Sequence, residues 1–125
     1  MRILALDIGT RRTGVAYGET DTGIVIVLDT IQHTSDDELL QAIQTIVQSR
    51  KISALVLGLP RLPGGGEGSQ AIFVRSLAKK IEVKTTLPIH FIDERYSTDV
   101  KAGDPDAKAA TEILQVYLKQ QSKAS

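Results

Sequence analysis

The chain contains no cysteine, which excludes disulfides and every thiolate metal site. It has no apolar run of membrane-spanning length, so no helical membrane span is expected. Its N-terminus shows no signal-peptide pattern, because Met1-Arg2 leads directly into strand-like sequence, and a cytoplasmic location is the default expectation. It also lacks an excess of either charge: the formal net charge is +0. That balance argues against a large nucleic-acid footprint, since phosphate contacts come from Lys and Arg, but it leaves room for local basic patches. No internal repeat is visible. What remains is an ordinary composition, 42% hydrophobic and 24% charged, in 125 residues. That is enough chain for one domain with one core, spanning residues 1–125.

The stretch Met1–Gly14 organises the rest. Ile3 to Ile8 is an apolar run of strand length interrupted only by Asp7, with Gly9-Thr10 turning the chain immediately afterwards. An apolar run without alternation reads as a strand buried on both faces. A carboxylate near the end of such a strand is costly unless something pairs with it. Thr13 to Tyr17 and Gly23 to Thr30 form the second and third strands, joined by turn residues into a hairpin. The connection at Arg11-Arg12 is short too, so the first three strands form an antiparallel meander. Thr34-Ser35-Asp36-Asp37-Glu38 is a helix start, a hydroxyl cap followed by acids. Leu39, Leu40, Ile43, Ile46 and Val47 supply that helix's apolar stripe. Ala54 to Leu59 is a buried strand closed by Pro60, and Arg61 to Ser69 is a Gly-rich loop. Ala71, Val74, Leu77, Ala78 and Ile81 mark a second helix. Pro88 to Ile92 is a strand running into Asp93-Glu94-Arg95. Asp104 and Pro105 open a last helix, whose stripe is Ala109, Ala110, Ile113, Leu114 and Tyr117. Residues 119–125 form a polar tail expected to fray. The order βββαβαβα predicts a five-stranded mixed α/β sheet with helices on both faces. Strands one, four and five should run parallel, with strand one central.

Three acidic positions then stand out: Asp7, the Asp93-Glu94 pair and Asp106. The first two lie at the C-terminal ends of parallel-type strands, where α/β sheets bind ligands. Asp106 lies four, seven and eleven residues before Ala110, Ile113 and Tyr117, which places it on the inward stripe of the last helix. Converging carboxylates repel one another, and a hard divalent cation relieves that repulsion; oxygen-only ligands favour Mg²⁺ or Mn²⁺. Plainer roles fit the same residues: Asp106 beside a helix dipole, Asp104 as a cap, Asp93 in a turn, Asp7 paired with Arg11, Arg12 or Arg95. Successive strand residues point to opposite faces, so one of Asp93 and Glu94 faces the site. Glu94, with the longer reach, is the preferred one.

Five segments together resemble the YqgF/RuvX family, which has an RNase H-like fold. They are ILALDIGTRRTGVAYG (3–18), LVLGLP (55–60), GGGEGSQA (64–71), DERYST (93–98) and DAKAATEILQVYL (106–118). The resemblance implies a nuclease associated with maturation of the 16S rRNA 5′ end and, by likeness to RuvC-type enzymes, with Holliday-junction resolution. Carried over residue by residue, the family's acids fall on Asp7, Glu94 and Asp106 as catalytic and metal-binding residues. The chain departs from the family in one place, a shortened connector at Asp99 to Pro105. Arg11, Arg12, Arg95, Gly65 and Gly66 are candidate nucleic-acid contacts, the glycines because they let backbone N–H groups approach a phosphate. His90 is expected in the core, His33 exposed, and Tyr96 packed rather than stacked on a base. Asp-x-Gly-Thr also opens the phosphate-binding strand of actin-like kinases, but those need two such domains. The expected function is a metal-dependent endonuclease acting on structured nucleic acid, pre-16S rRNA first and branched DNA second. A Holliday junction resolvase-like nuclease and a non-catalytic nucleic-acid-binding module are the alternatives.

Overall fold

A computed structural model of the chain describes residues 1–94 and 105–124; at 94, 105, 106 and 122–124 it describes the backbone alone. The elements follow the order β1 (Arg2–Ile8), β2 (Arg12–Glu19), β3 (Val25–Gln32), α1 (Asp36–Arg50), β4 (Ala54–Pro60), α2 (Ser69–Thr85), β5 (Ile89–Glu94) and α3 (Pro105–Ala124). They form one five-stranded sheet in the spatial order β3-β2-β1-β4-β5. The meander is antiparallel, and β1, β4 and β5 run parallel. Strand β1 is therefore central, as its apolar run, interrupted only by Asp7, leads one to expect.

Alternation along β1 sorts its side chains into two layers. Leu4, Leu6 and Ile8 pack with Leu39, Ile43, Val74, Leu77 and Ile81 beneath α1 and α2. Ile3 and Ala5 pack with Ala110, Ile113, Leu114 and Tyr117 of α3 on the other face. Each fully buried Leu or Ile contributes about 1.5–3 kcal/mol, so both layers matter to stability. Helix α1 starts where its cap predicts: the Ser35 hydroxyl accepts the Glu38 N–H at 3.2 Å.

Three details differ from the sequence reading. The polar tail is helical to Ala124, because residues 118–124 contain no glycine or proline to stop α3. His33 is buried, its Nε2 2.9 Å from the Thr13 hydroxyl, because it follows β3 directly and turns back onto the neighbouring β2. His90 is exposed, its ring set against Tyr117, because β5 is an edge strand that α3 covers only in part.

Candidate active site

Strands β1, β4 and β5 end at one edge of the sheet. In the parallel ladder Leu6 stands level with Leu57, and Gly58 with Ile92; Pro60 pairs with Glu94. Asp7 is the next residue after Leu6 and the alternate neighbour of Ala5, so it lies on the α3 face. It is half-buried and engaged with another group.

Its neighbours on the same face are glycines. Asp7 faces Gly14 directly across the β1–β2 ladder. On β4, continuing the register from Leu6 and Leu57 brings Gly58 alongside. Gly58 alternates with Val56, a member of the α3-side layer, so it shares that face. The positions directly beside the central carboxylate on both adjacent strands are thus glycines. The sequence reading missed these two positions. The signal for them is a glycine in each strand at the step matching Asp7, and it becomes visible only once register is fixed.

The turn after β1 is closed by the Gly9 N–H donating to the Arg12 carbonyl at 2.9 Å. A Cβ on Gly9 would sit 2.5 Å from that carbonyl oxygen, which explains the glycine. Arg11 and Arg12 are exposed beside the site, and the Arg11 carbonyl accepts the His33 N–H at 2.9 Å. Burial holds the His33 imidazole below its usual pKa, although Asp36 and Glu38 pull it upward.

The Gly-rich loop leaves β4 at the same edge. The Gly65 N–H donates to the Leu62 carbonyl and the Leu62 N–H to the Gly66 carbonyl, both at 2.8 Å. Gly65 has φ +91°, which glycine alone adopts readily; Gly66 does not share that conformation. Gly65 therefore spends its N–H inside the loop, which narrows the expected phosphate contact to other backbone groups. Glu67 ties the loop down. It receives Arg75 Nε at 2.6 Å and Arg61 Nη1 at 3.2 Å, and its carboxyl is held below the usual range first by the Arg75 hydrogen bond. Arg61 also reaches Asp93, with Nη2 2.9 Å from Oδ1. Asp93 follows Ile92 and alternates with Phe91, which packs toward α1 and α2 and lies under the Arg75 guanidinium. Of the two adjacent acids, Asp93 is thus committed to the loop's arginine.

Arg95 and Tyr96 lie outside the described residues, as do the side chains of Glu94 and Asp106 and the shortened connector. Among the described residues no group of three His, Asp or Glu side chains is close enough to hold a metal ion. Among the described residues no helix is long and apolar enough to cross a membrane.

Comparison with known proteins agrees with this fold. In fold, the chain superposes on the Thermus thermophilus RuvC solved in complex with a Holliday junction substrate, with a TM-score of 0.69 over 100% of this chain and 98% of that one, at 6% identity. In sequence, a Paracoccus denitrificans protein named "Putative pre-16S rRNA nuclease" is 38% identical over 117 residues, covering 90% of this chain and 74% of its own. A Moorella thermoacetica protein of the same name is 37% identical, with 94% of each chain covered. That alignment spans 133 positions, more than this whole chain, so the relative carries positions with no counterpart here. The family model described as RuvX, Holliday junction resolvase, matches residues 1–103, a span that includes Asp7 and Glu94 and stops short of Asp106. The chain belongs to the RuvX family.

Proposed function

We propose that this protein is a metal-dependent endonuclease that hydrolyses phosphodiester bonds in structured nucleic acid, with the 5′ end of pre-16S rRNA as its first substrate. The observation that carries this reading is Asp7, a half-buried carboxylate on the central strand with glycines beside it on both flanks. Membership of a family of nucleases supports it.

The residues fit a hard divalent cation. The donors are carboxylates, and the glycines at Gly14 and Gly58 place no Cβ directly beside Asp7 on either adjacent strand. Asp7, Glu94 and Asp106 would hold Mg²⁺ or Mn²⁺. Glu94 follows Ile92 by two residues, and Ile92 lies in the α3-side layer; Asp106 precedes the buried Ala110 by one turn. A bound divalent ion stabilises developing charge at a phosphate and lowers the pKa of water. Arg11 and Arg12, on the turn beside Asp7, position the nucleic-acid backbone, with Arg95 a further candidate. The loop at Gly65 and Gly66 borders the same edge and limits how the substrate approaches.

The test is cleavage of paired RNA and of a four-way DNA junction in Mg²⁺, with the wild type and Asp7→Asn. Cleavage of RNA that the variant loses supports the proposal. Cleavage of the junction in preference to RNA assigns the protein to resolvase-like chemistry instead. Binding of both without cleavage of either leaves a non-catalytic binding module.

A further inference from the structure

Strand β3 is the edge of the sheet opposite β5, and among the described residues its inner side alone is paired, with β2. Ile24, Ile26 and Val27 are 54%, 42% and 54% exposed. They do not form one face. Val25 packs against the α3-side layer and Leu28 against the α1/α2-side layer, so Val27 and Ile26 emerge on opposite sides of the sheet. A helix docking on a face would cover one of them. A strand added to the edge covers both.

Residues 23–32, GIVIVLDTIQ, contain no Lys, Arg or Pro and a single charge, Asp29. Lys and Pro, which often keep an edge strand from pairing, are absent from it, and the irregularity in its pairing with β2 falls between Leu28 and Ile31, beyond the apolar stretch Ile24–Leu28. The sequence is also complementary to itself. In an antiparallel pair centred on Ile26 opposite Ile26, Val25 meets Val27, Ile24 meets Leu28, and Asp29 meets Gly23. That gives five successive apolar pairs, with no acid opposite an acid and every residue opposite one on its own face. The backbone phase agrees. The Glu19 N–H donates to the Ile24 carbonyl at 3.1 Å, so Ile24, and with it Ile26, directs its carbonyl inward. Val25 and Val27 then direct their N–H and C=O groups outward, where each can bond the other's copy.

We propose that β3 is a dimerisation edge at which a second copy of this chain adds antiparallel through Ile24–Leu28, on a two-fold axis through Ile26. The two sheets become one of ten strands, with both α3 helices on the same side. A strand edge is small against the roughly 1,200–2,000 Å² of a standard stable interface, so the dimer is concentration-dependent.

Sedimentation or light scattering across micromolar to sub-millimolar protein reads the proposal. The wild type should shift from monomer to dimer, and Ile26→Lys, which sets two ammonium groups opposite each other, should weaken that association at least about tenfold. Because the chain has no cysteine, Ile26→Cys provides an independent readout. The residues of a non-hydrogen-bonded antiparallel pair have Cα atoms about 4.5 Å apart, within disulfide range. Mild oxidation should link Ile26→Cys as a dimer and leave Val83→Cys, on the exposed side of α2, monomeric. A wild type that stays monomeric throughout, even if another protein's strand occupies the edge, overturns the proposal. So does a dimer that Ile26→Lys leaves intact, or equal cross-linking of the two cysteine variants.

Discussion

Arg61 and Asp93 form an ion pair at 2.9 Å on the side of β5 that packs toward α1 and α2, whereas Asp7 lies on the α3 side of the sheet. The pairing gives Asp93 a partner in the loop, and on the proposed reading it leaves the catalytic role to Glu94. Asp93→Asn should keep at least half of the cleavage activity and lower stability only slightly, since an exposed pair is worth little. Glu94→Gln should lose activity about a hundredfold or more, in keeping with several kcal/mol of transition-state stabilisation from a metal site. Equal losses in the two variants, measured as single-turnover rates, would show this separation to be wrong.

Asp7→Asn keeps size and removes charge. The wild-type melting temperature should rise with added Mg²⁺, and the rise should shrink in the variant, because a ligand stabilises only as far as it binds the native state. Melting curves of both proteins with and without Mg²⁺ check this. A wild type with no Mg²⁺ response would end the metal reading.

The glycines beside Asp7 predict a different kind of loss. Gly58→Val adds a branched side chain at the level of Asp7 in a buried strand. It should abolish the Mg²⁺-dependent rise in melting temperature, and overpacking should cost about 1–3 kcal/mol of stability. Gly18→Ala provides the control. Its Cβ would come within 2.8 Å of Leu114 Cδ2 on the same face but at the far end of β2, so it should cost similar stability and leave the Mg²⁺ response in place. Chemical denaturation with and without Mg²⁺ separates the two.

His33 predicts a pH dependence. Its imidazole is held below its ordinary value of 6.5 by burial, so the unfolded chain binds the proton more readily. The native state's advantage is complete above 6.5 and declines as pH falls from there through the lowered native value. His33→Gln should flatten the fall in melting temperature between about pH 7 and pH 5, before carboxylates begin to titrate. A slope unchanged in the variant would assign the pH dependence to other groups.

The Gly-rich loop offers a test of access without strain. Gly65 has positive φ, so a side chain there costs stability whatever the loop does. Gly66→Ala avoids that cost and meets open space. It should leave the melting temperature unchanged and weaken nucleic-acid binding severalfold, read by fluorescence anisotropy. Unchanged binding would make the loop a connector pinned by Glu67.

Much of the fold was legible because its signals are local. The run Ile3–Ile8, interrupted only by Asp7, marks a central strand, Ser35 with its acids marks the start of α1, and the 3.6-residue stripes of α2 and α3 fall on buried residues except at Ala109, which is partly exposed. What the sequence did not disclose depends on which strands become neighbours. Gly14 and Gly58 matter only once both stand beside Asp7. Asp93 is distinguished from Glu94 by an arginine thirty-two residues away in sequence. His33 and His90 exchanged their expected environments for the same reason: one turns onto a covered strand and the other stands on an uncovered edge.

The place of β1 in the sheet also sets how stiff the site is. Asp7 sits on a strand whose backbone is hydrogen-bonded to β2 on one side and β4 on the other, while Glu94 sits on β5, which has one partner strand. Opening β1 requires breaking the whole sheet, whereas β5 can loosen by itself. Amide protons of β1 should therefore exchange only with global unfolding, and those of β5 earlier. In the proposed site one wall would be a fixed datum and the opposite wall compliant, so adjustment to substrates of different shape would fall to the edge strand, with the central carboxylate as the reference point.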